Sequence, residues 1–546
     1  MIQNPVLTGF NPDPSILRVK DDYYIATSTF EWYPGVQIHH SRDLIHWELL
    51  THPLADETRL DMIGNPDSGG IWAPCLSYAD GLFWLIYTNV RSLDGVFKDT
   101  PNYLVTAKKI TGPWSKPIFL NASGFDPSLF HDDDGRKWLV NMMWDHRAPA
   151  GKNAFGGILL QEYDPKSRKL VGSVKNIYDG SELKMTEGPH LYKHYGWYYL
   201  MVAEGGTGYD HAVTLARSRN IAGPYQTMPD NPVISTRWNP KNPIQKTGHG
   251  SLVETSTGDW YIAHLGARPL TKLGNCPLGR ETFLTKVEWH VPTGDEGPWL
   301  RVAGGGREAS FEVPAPDLPT VEFAAESPRM DFDARKLSVH LNSLRRPVSE
   351  DWASLKARPG FLRLYGMESP SSKFRQSMIA RRVQNFSVLA ETAVDFSPET
   401  PQQMAGLIWY YNTSLFHWLY VTFDEKLGRV VNVLSIDDDK WKYPVGDGIA
   451  VDVDGEKKVD RIFLRAESDR EILRFSWSKD GKEWWRIGGD LDAARISDEG
   501  ATHYPAAGWG FTGTFVGLQC TDLTGARLPA DFDYLEYRPT PTVPRA

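Results

Sequence analysis

The sequence predicts an all-β chain, a five-bladed β-propeller followed by a second antiparallel β domain. Two observations carry this. A two-part phrase recurs five times before residue 265, and a Pro-rich stretch then separates it from β-patterned sequence without the repeat. The copies begin Asp13-Pro-Ser-Ile16, Trp72-Ala-Pro-Cys-Leu76, Asp126-Pro-Ser-Leu129, Glu187-Gly-Pro-His-Leu191 and His249-Gly-Ser-Leu252. Each leads to an aromatic run around Tyr24, Trp84, Trp138, Tyr199 or Tyr261, at 11, 12, 12, 12 and 12 positions from the first residue. Turn residues such as Asp80-Gly81, Asp134-Gly135 and Gly258-Asp259 stand just before the aromatics. A hairpin explains the fixed spacing. A repeat of 54 to 62 residues matches one four-stranded propeller blade.

The later elements follow in order. Val313-Pro-Ala-Pro-Asp-Leu-Pro-Thr-Val321 reads as an extended linker. The expected domains are thus a propeller over 1–312, a linker over 313–325 and a β-sandwich over 326–546. Runs such as Gly406-Leu-Ile-Trp-Tyr-Tyr411, Trp418-Leu-Tyr-Val-Thr-Phe423 and Ile472-Leu-Arg-Phe-Ser-Trp477 have strand length, and Lys479-Asp-Gly481 marks a hairpin turn. Two packed antiparallel sheets suit them best.

Composition narrows the function. The 546 residues exceed one core. A formal charge of −9, with no basic stripe, argues against nucleic acid and favours a neutral substrate. No stretch approaches the roughly 18 apolar residues of a membrane span, and the first residues lack the pattern of a secretory signal, so a cytoplasmic protein is expected. Cys75, Cys276 and Cys520 have no zinc-type spacing and read as reduced thiols.

Blades set radially bring equivalent positions of their innermost strands to one mouth. Asp13, Trp72, Asp126, Glu187 and His249 therefore become neighbours, an odd set for a ring that only packs. Two carboxyl groups across a sugar-sized gap are the minimal machinery of glycoside hydrolysis, one donating a proton and one activating water. A third nearby carboxylate raises the acid's pKa by repulsion. Each residue has a plainer alternative. Asp13 fits an Asx-type turn and Glu187 a loop carboxylate. Trp72 offers an apolar face to a sugar ring or packs in a core. His249 suits a hydrogen bond, a metal or burial, and Phe30 and Trp144 either line the pocket or pack.

With these motifs the chain resembles the β-xylosidases of glycoside hydrolase family 43 over its whole length. The resemblance rests on Gly9-Phe-Asn-Pro-Asp-Pro-Ser-Ile16, Ser28-Thr-Phe-Glu-Trp-Tyr-Pro-Gly35, Gly69-Gly-Ile-Trp-Ala-Pro74, Gly124-Phe-Asp-Pro-Ser-Leu129, Thr186-Glu-Gly-Pro-His190 and Cys276-Pro-Leu-Gly-Arg-Glu281. It implies Asp13 as general base, Glu187 as general acid and Asp126 as the residue that tunes and orients the acid. It places Phe30, Trp72, Trp144, Thr207, His249 and Arg280 at the substrate, with Phe515 from a concanavalin-like C-terminal sandwich closing the pocket. The implied activity is exo-acting, inverting β-1,4-xylosidase action on xylobiose and short xylooligosaccharides, with side α-L-arabinofuranosidase activity. Inversion requires carboxyl groups about 6.5 to 9.5 Å apart. The rivals are a primary arabinofuranosidase and a carbohydrate-binding protein without chemistry. Similar enzymes are commonly homo-oligomers. Some relatives hold calcium near the histidine, but Arg280 opposes a divalent charge, and neither a metal nor another cofactor is expected. Cys75, and a short loop before Cys276, depart from the family pattern beside the pocket.

Overall fold

The computed structural model describes residues 1–93, 95–149, 153–438, 440–452, 459–501 and 510–541. Its first half holds five four-stranded antiparallel sheets. In the first, Ser15–Val19, Asp22–Thr27, Gln37–Ser41 and Glu48–Thr51 lie side by side in that order. The innermost strands of the next four are Gly70–Ala79, Ser128–His131, Glu187–His194 and Gln245–Glu254. Each touches the next and the fifth touches the first, so the blades close a ring. The repeat spacing is the register of the inner hairpin, which pairs Leu17 with Tyr24, Ser77 with Trp84, Phe130 with Trp138, Tyr192 with Tyr199 and Val253 with Tyr261.

The start of the chain completes the last blade. In Glu281–His290, residues 287–290 pair with Trp299–Val302, while Thr282 pairs with Leu7 and the Asn4 side chain exchanges hydrogen bonds of 2.8 and 2.9 Å with Leu284. Ile2–Gln3 then pairs with Glu312–Val313. Beyond Val313 the Pro-rich stretch bends at Asp317, where Leu318 N–H donates to Pro316 O at 3.0 Å, and it reaches the first blade, where Asp43 accepts from the Val321 N–H at 3.0 Å.

The second half is two antiparallel sheets. One orders Ala353–Ser354, Leu362–Tyr365, Pro529–Pro539, Ser387–Asp395, Arg461–Asp469, Ile472–Ser478 and Trp485–Asp492. The other orders Ser377–Arg382, Phe515–Asp522, Gln403–Asn412, Leu415–Asp424, Gly428–Asp437 and Lys440–Lys442. Gln403–Asn412 contains the run 406–411. Side chains alternate across a strand, and here Leu407, Trp409 and Tyr411 join the sandwich core while Ile408 and Tyr410 join a cluster with Phe10, Phe30, Trp32 and Trp72 of the propeller. Both faces of this sheet are buried. The seam also carries a short ladder, Ser343–Leu344 on Trp32–Tyr33, beside which the buried Arg345 donates to Asn65 O and Asp67, each at 2.7 Å.

Candidate active site

The five leading residues sit where each inner strand departs from regular geometry. Asp13, Asp126 and His249 have φ of 55°, 53° and 50°, and at the other two sites the next residue does, Ala73 at 29° and Gly188 at 56°. Bulges follow Trp72 and Glu187 and flank His249. A bulge re-aims side chains and ends regular pairing, which here turns them into the mouth. The serine two places after the leading residue locks the ring. Ser15 Oγ accepts from Leu76 N–H at 3.0 Å, Ser251 Oγ from Ile16 N–H at 3.1 Å, and Ser128 Oγ donates to Pro189 O at 2.5 Å, each to a neighbouring blade.

All five line one pocket of about 520 Å³. This lies within the size range of small-ligand sites. Asp13 accepts from Ser28 Oγ at 2.6 Å and from Arg280 Nη1 at 3.1 Å, and its Oδ1 lies 3.8 Å from His249 Nδ1. Ser28 Oγ in turn accepts from Ala73 N–H at 2.7 Å, fixing the second blade against the base. Asp126 Oδ2 accepts from Gly188 N–H at 3.1 Å, directly beside Glu187. Burial, then the charge of Asp13, pushes the Glu187 carboxyl up to about 8, with Arg280 opposing. Burial, Glu187 and Asp13 hold Asp126 well above the carboxylate range. Asp126 and Glu187 repel one another, and Asp126 also grips the backbone next to the acid. Burial keeps the His249 imidazole low.

Gly188 has a steric reason to be glycine. A Cβ there would stand 2.8 Å from the His249 ring, on a backbone already at φ +56°. Behind it the buried Glu204 accepts from Thr186 Oγ1 at 2.8 Å and from Ser181 N–H at 2.7 Å, anchoring the segment that carries Glu187. No repeat or motif flagged Glu204, and Ser28 opens one of the motifs without a role of its own, since both roles depend on contacts between separate segments.

The walls are aromatic. Phe30 and Trp72 lie 5.9 Å apart between ring centroids, and Trp72 meets Phe125 edge-on at 5.2 Å. Trp144 ends the strand Lys137–Trp144 and carries the Lys98 ammonium 4.6 Å above its ring. Thr207 lines the pocket from the loop between Trp197–Glu204 and Ala212–Ser218. Arg280 is buried, donating to Asp13 and, at 2.7 Å, to Phe511 O.

Phe511, rather than Phe515, is the sandwich residue at the pocket. Its ring is 5.7 Å from Trp72 and 6.2 Å from Phe30. Phe515 begins the strand Phe515–Asp522, is fully buried and stacks on Trp32 at 3.7 Å. Strand geometry points it into the domain seam, while Phe511 lies in the preceding loop, held by Ser68 Oγ accepting from its N–H at 3.1 Å. Both aromatics stand in the Gly510–Gly517 segment, so the sequence located the element and missed the residue.

Residues 2–292 match the model of glycosyl hydrolases family 43, and residues 329–538 match that of the β-xylosidase C-terminal concanavalin A-like domain. The chain belongs to glycosyl hydrolases family 43. This family 43 chain is 48% identical to a β-xylosidase of Bacillus subtilis, covering 98% of this chain and 99% of that one. It is also 48% identical to xylosidase/arabinosidase 43B of Humicola insolens, covering 98% of each. A crystal structure of xylan β-1,4-xylosidase from Bacillus halodurans superposes with a TM-score of 0.94 at 52% identity, over 98% of this chain and all of that one. As a family 43 member the chain is a glycoside hydrolase of the inverting class.

Among the described residues of this family 43 enzyme no group of three His, Cys, Asp or Glu side chains is arranged to hold a metal ion. His249 faces Asp13 across from Arg280, not the six to eight oxygens calcium takes, so no step is derived through a metal. Cys75 is buried with its sulfur 3.9 Å from His190 Nδ1, outside the pocket lining, and Cys276 is buried against Tyr209. No helix among the described residues is long and apolar enough to cross a membrane.

Proposed function

We propose that the enzyme removes xylose from the non-reducing end of xylobiose and short β-1,4-xylooligosaccharides by single displacement with inversion. The observation that carries this is the contrast between two carboxyl groups of one pocket: Asp13 is ion-paired to Arg280, while Glu187 is held protonated up to about 8. An ion-paired carboxylate and a protonated carboxyl in one pocket suit a base and an acid. Asp13 takes a proton from a water that attacks the anomeric carbon; Glu187 gives its proton to the departing oxygen. Asp126 orients the acid through Gly188 N–H, and Arg280 and His249 meet sugar hydroxyls. Phe511, packed on Phe30 and Trp72, closes one side of the propeller mouth and leaves room only for a chain end.

Side action on α-L-arabinofuranosides is part of this proposal, supported by the double name of the Humicola insolens relative. The three free, buried cysteines fit a reducing, cytoplasmic setting, and a homo-oligomer remains the expectation for light scattering. Proton NMR of fresh enzyme with xylobiose tests the mechanism. Newly released α-xylose is expected; initial β-xylose, or no xylose, would overturn it.

A further inference from the structure

A second cavity, of about 190 Å³, lies at the seam between propeller and sandwich. That is roughly the share of six waters in the liquid. Its polar lining includes Thr8, Asn11, Gln37 and His39 from the propeller with His340, Arg381, Arg382 and Gln384 from the sandwich, and among the described residues no Asp or Glu lines it. Arg381 is answered by Glu326, which accepts at 2.7 and 3.1 Å. Among the described residues Arg382 is not answered by any acid: it is 5% exposed, its Nε donates to Phe10 O at 2.7 Å, its Nη1 to Asn342, and its Nη2 has no partner there. Its guanidinium carbon lies 5.5 and 5.2 Å from the ring centroids of Phe10 and Phe515, and its charge also acts on His39, His52 and His340. Across the cavity His39 Nδ1, Asn11 Oδ1 and Gln37 Oε1 are buried without partners as well.

A buried charge without a counter-charge is costly, and so is each unpaired polar atom. Four such atoms belong to residues of both domains that line one cavity of net positive character. We propose that this seam cavity binds a small anion, a tetrahedral oxyanion or a short carboxylate, through the free edge of Arg382 with His39 as second donor. A guanidinium edge suits both chemistries. Asn11 and Gln37 supply acceptors for the hydroxyl of a partly protonated phosphate or a hydroxy acid.

The site also touches the catalytic loop. Phe10, whose carbonyl Arg382 holds, and Asn11, whose N–H donates to Arg280 O at 2.9 Å, immediately precede Pro12 and Asp13. An anion that drew on Arg382 would act on the position of the base from behind, without entering the sugar pocket.

The test uses the full chain in thermal melts at constant ionic strength, with chloride replaced by sulfate, phosphate or citrate, in the presence and absence of saturating xylose. A saturable rise of a few degrees is expected, additive with that given by xylose, and lost in Arg382→Met. Should Arg382→Met not fold, His39→Gln carries the comparison and weakens the anion effect several-fold. A stronger response to citrate than to phosphate assigns the site to carboxylates, the reverse to tetrahedral oxyanions, and either supports the proposal. Crystals soaked in selenate are expected to show an anomalous peak beside Arg382 Nη2. No anion-dependent rise, a rise equal in His39→Gln and wild type, a rise abolished by xylose, or, where phosphate outdoes citrate, an empty cavity in the selenate crystals would overturn it.

Discussion

Replacing Glu187 by Gln removes one transferable proton and little else, and its cost follows from the environment of that carboxyl. With burial and Asp13 raising it from 4.5 to about 8, about nine-tenths of molecules carry the proton at pH 7. At the ordinary value only about one in 300 would, so the pocket enriches the competent acid about 300-fold. General acid catalysis contributes about 10²- to 10⁴-fold, so Glu187→Gln is expected to lower kcat/KM on xylobiose by that factor, or about 3 to 5 kcal/mol. The loss on 4-nitrophenyl β-xyloside, whose leaving group needs no proton, should be far smaller. In the wild type the required form is the protonated one, so kcat/KM is full at neutral pH and falls as pH rises through about 8. This limb belongs to the coupled group of Asp13, Asp126 and Glu187. Initial rates of xylose and nitrophenol release from pH 5 to 10 measure both effects. Equal losses on the two substrates, or an alkaline limb near pH 5, would refute the assignment of Glu187.

Phe511 and Phe515 give opposite expectations. Phe511→Ala should raise KM for xylobiose several-fold with little change in Tm, whereas Phe515→Ala, emptying a filled seam beside Trp32, should cost about 3 to 5 kcal/mol in denaturant titration and leave KM near wild type. Glu31 is buried at the same seam, where it accepts from Ser68 N–H at 3.1 Å, and burial raises its carboxyl to about 7 despite Arg345. The neutral acid is the form the fold prefers, so its contribution is complete below about 4.5 and is lost as pH rises to about 7. Glu31→Gln should flatten the decline in stability between pH 5 and 8 by on the order of 3 kcal/mol, as read from melts at the two ends; an unchanged slope would show that Glu31 is already charged.

The ring of five blades and the convergence of Asp13, Trp72, Asp126, Glu187 and His249 were legible because both are written in a repeat whose spacing is a hairpin register. The resemblance likewise carried Phe30, Trp144, Thr207 and Arg280 to positions that line one pocket. What the repeat does not encode is contact between blades and domains. Ser15, Ser128 and Ser251 stand in plain view in the phrase, yet their cross-blade bonds appear only once the ring is closed. The choice between Phe511 and Phe515 turned on where a strand begins, a boundary that two phenylalanines four apart leave undetermined. The run 406–411 reads only as a strand of a sandwich; that both of its faces are buried follows from the seam with the propeller, which the sequence does not reveal.

That sheet has a consequence for how such a chain can be cut or recombined. Its Ile408 and Tyr410 face the propeller as deeply as Leu407 and Trp409 face the sandwich core, all of them almost wholly enclosed. Severing the chain at the Pro-rich stretch would not release two modules. It would lay bare a broad aromatic slab on each fragment and remove Phe511 from the pocket and Arg345 from its carboxylate. The C-terminal half is therefore less an appendage than a wall of the first, and exchange between relatives has to carry both surfaces of the seam together.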